Sequence, residues 1–137
     1  MTTPAGGGRR AARERALSLL YEAETKDAPI DEVLAALPLA PDPFTVAVVR
    51  GVAGGRPELD ELIVRFARDW RLERMPVLDR TVLRMATFEL LHRPDVPTAA
   101  VISEAVELAK RFSTDNSGRF VNGVLSSIAA EVRPVSG

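Results

Sequence analysis

The chain has 137 residues, enough to bury one sizeable core and too few for two comfortable ones. Its 46% hydrophobic and 27% charged residues are those of a globular protein, and the lack of cysteine excludes disulfides, thiolate metal sites, iron–sulfur clusters and a cysteine nucleophile. A formal net charge of −1 excludes a protein that coats nucleic acid by bulk charge, so function has to be read from local charge.

Residues 1–8 are glycine-rich, carry no apolar run that could serve as a signal peptide, and read as a flexible N-terminal arm. From Arg9 to about Glu24 the pattern becomes helical, with Ala12, Ala16, Leu19, Leu20 and Ala23 lining one face. A short helix is expected over Asp31–Leu37, between Pro29 and Pro38. Asp42 then offers an N-cap and Pro43 a first-turn proline for a helix through Val48 and Val52 that Gly54-Gly55 stops.

Pro57-Glu58 opens an amphipathic segment in which Leu59, Leu62, Ile63, Phe66, Ala67 and Trp70 keep helical spacing. Pro76 starts a helix reaching about His92 that has little polar surface, as a central helix with neighbours on several sides would. Ala99–Phe112 and Asp115–Val132 supply two more helices, and Arg133-Pro134 ends the fold. No window alternates apolar and polar residues between turn signals, so no strand is expected. The fold class is therefore all-α, a compact bundle of about six or seven helices forming one domain over residues 9–134, with 135–137 as a tail. No stretch approaches the roughly 20 apolar residues that span a bilayer, which predicts a cytoplasmic protein without a membrane partner.

Catalytic chemistry finds no home in the sequence. His92 lies one helical turn after Glu89, but no second histidine or thiolate is present to complete a metal site, and none is expected. There is no Walker lysine after glycines and no GxGxxG following a strand. Asp60-Glu61 and the pair Glu104 and Glu107 are carboxylates of a kind that helix surfaces carry routinely. Neither an enzyme nor a cofactor is expected.

The stronger lead is the basic first helix, where Arg9, Arg10, Arg13 and Arg15 stand against the single acid Glu14. At 100° per residue Arg10, Leu17 and Tyr21 fall within about 40° of one another, nearly opposite the alanine and leucine stripe, with Arg13 to one side. Tyr21 should therefore face away from the core, about 16 Å along the axis from Arg10. Guanidinium groups at one end and an aromatic ring at the other suit single-stranded RNA, whose phosphates take arginine and whose splayed bases stack on rings. A solvated arginine cluster is the plainer alternative. In the last helix Arg119 and Asn122 lie off the apolar face and Phe120 at its edge, close to a helix N-terminus that attracts phosphate; core packing accounts for Phe120 equally well.

Four stretches in order carry a resemblance to a known family. They are Arg9-Arg10-x-Ala12-Arg13-Glu14-x-Ala16 through Leu20-Tyr21, Leu78 to Leu90, Asp95-Val96-Pro97 with Glu104 to Lys110, and Arg119 to Leu125. Together they resemble the NusB family of transcription antitermination factors from about Arg9 to Pro134. The resemblance implies an all-helical fold and no cofactor. It implies pairing with NusE, a ribosomal protein, to capture the boxA element of nascent RNA, notably of ribosomal RNA operons, and docking to the RNA polymerase antitermination complex; a homodimer stays open. Arg9, Arg10, Arg13, Tyr21, Asn116, Arg119, Phe120 and Asn122 are the candidate RNA-binding residues. Arg84 and Glu89 match family positions on the central helix and are candidates for the partner contact, Glu89 for partner or RNA; a structural role is the alternative for both. Two residues depart from the family pattern: Ser103 replaces a frequent asparagine, and Asn116 a residue acidic in relatives, beside the inferred RNA surface. An accessory domain of a ribosomal RNA cytosine methyltransferase and a protein-only interaction module are the rival readings; the former continues into a longer catalytic domain, whereas this sequence stops at Gly137.

Overall fold

A computed structural model describes residues 5–134, placing seven α-helices and one short 3-10 turn and, among the described residues, no strand. The helices are α1 (Ala5–Thr25), α2 (Ile30–Ala35), α3 (Pro43–Gly54), α4 (Arg56–Phe66), α5 (Val77–His92), α6 (Thr98–Phe112) and α7 (Asp115–Val132). Residues 1–4 of the expected arm and the 135–137 tail lie outside the described residues. The helix α1 starts at Ala5 rather than Arg9, because extending a formed helix adds a hydrogen bond for each residue fixed.

Local signals set most boundaries. The Asp42 carboxylate accepts from the Phe44 amide at 2.8 Å, with Pro43 in the first turn of α3. Thr114 and Ser117 form a capping box at the start of α7. The helix α4 ends at Phe66, so Trp70 lies beyond it and stands half exposed instead of continuing the apolar face. Where α5 ends, the Arg133 guanidinium donates to the carbonyls of Glu89, Leu90, Arg93 and Val96 at 2.6–3.0 Å, tying the end of α7 to the last turn of α5 and the loop after it.

The helix α5 is the central element, packed against α1, α3, α4, α6 and α7. Its buried residues include not only Val82, Leu83, Met85, Ala86 and Leu90 but also Asp79, Arg84 and Glu89. The α3 backbone comes so close that a methyl group added at Gly51 would overlap the Phe88 ring. No described helix is long and apolar enough to cross a membrane.

Candidate nucleic-acid interface

The first helix is covered on more sides than its wheel suggests. Ala12, Ala16, Leu19 and Leu20 are buried as expected, but so are Leu17 and Arg13, because α1 packs against α2, α3 and α5. Tyr21 is 43% exposed, in keeping with its expected place away from the core.

The arginines of α1 consequently have different fates. Arg13 reaches inward and binds both oxygens of Glu89 at 2.8 and 2.9 Å, with both side chains buried. This corrects two assignments at once. Arg13 is not a surface phosphate ligand, and Glu89 is not a surface partner contact, because each neutralises the other inside the bundle. Arg84 is likewise buried; it binds Asp60 at 2.7 and 3.2 Å and reaches Glu24 at 3.5 Å, so it ties α5 to α4 and α1 rather than meeting a partner. Glu89 also parts company with His92, which is exposed and lies 3.3 Å from Glu58.

Arg9 and Arg10 stay at the surface. Arg10 forms a two-pronged pair with Glu104 at 2.9 and 3.1 Å, and that hydrogen bond draws the Glu104 carboxyl below its ordinary value and raises the Arg10 guanidinium above its own. The Arg9 guanidinium lies 4.2 Å from the centre of the Phe44 ring and 4.0 Å from Asp95, whose carboxyl is held low by the hydrogen bond from Arg93. One turn beyond Arg10, Glu14 accepts from Arg111 at 2.7 Å. These two ion pairs tie α1 to α6 through long side chains, Arg10 to Glu104 and Glu14 to Arg111.

At its C-terminal end α6 turns through Ser113 and Thr114 into α7. Asn116, Arg119 and Asn122 are exposed on the opening turns of α7, and Phe120 is half-buried against the core. The bundle thus carries two of the expected groups on its surface, Arg9 and Arg10 on α1 and the polar face of α7, with α6 joining them. Arg111 and Phe112 on that joining helix went unnoticed in the sequence; both are exposed, with the guanidinium 5.0 Å over the ring. An arginine followed by an aromatic at a helix end was the available signal. The surface can hold a phosphate chain with cations and offer rings to bases.

Residues 10–130 match the NusB family. Among curated relatives, the transcription antitermination protein NusB of Saccharopolyspora erythraea is 48% identical over 90% of this chain and 87% of its own length. That of Desulforapulum autotrophicum is 43% identical over 89% of this chain and 91% of its own. Among solved structures, T. maritima NusB superposes with a TM-score of 0.83 at 39% identity, covering 96% of this chain and 94% of the other. A crystal structure of the antitermination factors NusB and NusE with double-stranded RNA shares the fold, with a TM-score of 0.76 at 24% identity over 90% of this chain and 96% of that one. An all-helical bundle around a buried Arg13–Glu89 pair, matched along nearly its whole described length by these relatives, belongs to the NusB family.

Proposed function

We propose that the chain is a non-catalytic, cytoplasmic transcription antitermination factor that binds boxA-type single-stranded RNA together with the ribosomal protein NusE and delivers it to the RNA polymerase complex. The relatives' name, transcription antitermination protein, supports the activity. The fold shared with a NusB crystallised with NusE and RNA supports the partners. The observation that carries the reading is the exposed arginine end of α1, joined through α6 to the exposed polar start of α7.

In this reading Arg9 and Arg10 hold phosphates, Tyr21 stacks a base, and Asn116, Arg119, Phe120 and Asn122 form the second contact region. Arg13, Arg84 and Glu89 act from inside, fixing α1 and α4 on α5. A pull-down from cell lysate with and without RNase tests the assignment. Capture of NusE that survives RNase, with boxA-containing RNA recovered only without it, is the expected result; loss of both NusE and RNA would overturn it.

A further inference from the structure

A further cationic group lies where the loop after α5 meets the start of α3. An open cavity of about 580 Å³, within the roughly 300–1,000 Å³ of sites that hold a drug-sized ligand, is walled by Arg9 of α1, by Arg93 just after α5, and by Asp42, Pro43 and Phe44 at the start of α3. The Phe44 ring is buried under three guanidinium groups, those of Arg9 at 4.2 Å, Arg93 at 5.0 Å and Arg13 at 5.1 Å from its centre. A ring face holds a cation without taking any of its N–H donors, so each charge stays available unless a carboxylate claims it.

The carboxylates do not balance these cations. Arg13 is neutralised by Glu89 in the core. Arg9 and Arg93 share a single acid: Asp95 accepts from Arg93 through both oxygens at 3.1 Å and lies 4.0 Å from Arg9. Two surface cations thus face one carboxylate, and Arg93 spends only Nε and Nη2 on it. Asp42, the other acid on the wall, accepts from the Phe44 amide at 2.8 Å and is offset by the positive end of α3. The backbone beneath the pair is fixed, because Arg133 donates to the carbonyls of Arg93 and Val96 on either side of Asp95. An excess of guanidinium on a held backbone beside open space suits a phosphate group, which takes short, charge-assisted hydrogen bonds from arginine.

Resting on the RNA reading above, we propose that Arg93 is a phosphate ligand: the backbone of the bound strand continues from Arg10 over Arg9 onto Arg93, across the cavity above Phe44, and Asp95 competes with it for both guanidinium groups. Arg9 also borders a second cavity, with Arg10 and Glu104, and so forms the common wall of the two. A base is the weaker occupant, because the guanidinium groups already cover the Phe44 ring.

The two halves of one ion pair give the test opposite signs. The full chain in complex with NusE is titrated with labelled single-stranded boxA RNA and with an unrelated RNA, by fluorescence polarisation over a series of salt concentrations. Arg93→Ala should weaken both RNAs alike and flatten the slope of log affinity against log salt by about 0.7, which alone amounts to about fourfold in affinity at about 0.15 M salt relative to 1 M. Arg93→Lys, which keeps the charge, should retain the slope. Asp95→Asn, which keeps the shape of the side chain and removes its charge, should strengthen both RNAs. A pair that only orders the loop would be broken from either side, so weaker binding in both Arg93→Ala and Asp95→Asn overturns the proposal. An unchanged slope in Arg93→Ala, or a slope that Arg93→Lys flattens equally, overturns it too and leaves the antitermination reading standing. A native complex that binds neither RNA overturns both.

Discussion

Arg10 and Arg13 stand one turn apart on the same helix, and each grips a glutamate with two hydrogen bonds of nearly equal length, yet they do opposite things. The Arg13–Glu89 side chains are 6% and 2% exposed, whereas those of Arg10 and Glu104 are 52% and 19% exposed. In the interior neither charge has water to fall back on, so the pair is indispensable once present even where its net stabilisation is small. At the surface both charges stay solvated, the pair contributes little to stability, and the arginine remains available to a better anion. One helix therefore carries a buried cation that belongs to the fold and an exposed one to which we assign phosphate binding, separated by their surroundings rather than by their chemistry.

The largest expected effect tests the buried member. Arg13→Ala leaves Glu89 charged and unpaired in the core and should cost about 3–5 kcal/mol of stability in denaturant unfolding. Replacing both partners with apolar residues of similar volume should recover most of that loss. A small effect of Arg13→Ala would show that Glu89 finds water or another donor, and the contrast with Arg10 would collapse.

Tyr21 extends the contrast to an aromatic. Tyr21→Ala should cost about 1–3 kcal/mol of RNA affinity in the complex with NusE if the ring stacks on a base. It should leave folding stability within about 0.5 kcal/mol, as exposed positions do. A large drop in stability with unchanged RNA affinity would place the ring in the core instead.

How far the sequence reveals these roles depends on the distance over which they are decided. The bounds of α7, the Asp42 cap and the central place of α5 are local matters, written in periodicity and capping residues, and they are legible. The partner of Arg13 lies 76 residues away, beyond the reach of any helical wheel. A wheel ranks the faces of α1 but does not say how many helices will press on it, which is why Leu17 and Arg13 look peripheral and prove buried. Trp70 misleads for a related reason: it keeps the helical spacing of α4 after the chain has left the helix. Charged residues on α5 were legible as family positions, while their burial depends on five packed neighbours.

Arg10 gives a smaller and more specific signal. Arg10→Ala should leave stability nearly unchanged, because an exposed ion pair contributes little to it. It should weaken binding across many RNA sequences and flatten the slope of log affinity against log salt by about 0.7, the contribution of one phosphate on a single strand. An unchanged slope would place the phosphate path elsewhere.

The smallest expected effect belongs to Glu104, because it removes a competitor rather than a contact. While paired, Arg10 must leave this carboxylate before it can hold a phosphate, so Glu104→Gln should strengthen RNA binding modestly and steepen its salt dependence. The sign with pH follows from the pair. The hydrogen bond from Arg10 lowers the Glu104 carboxyl below its ordinary 4.5, so the pair is fully formed above that value and is lost as the pH falls through the lowered one. The advantage of the glutamine variant should therefore be constant through neutral pH and shrink only in acid, where the native glutamate becomes protonated and the two proteins converge. Equal RNA affinity of the two proteins at neutral pH would mean that Glu104 does not compete with phosphate for Arg10, and that the exposed pair, like the buried one, belongs to the fold.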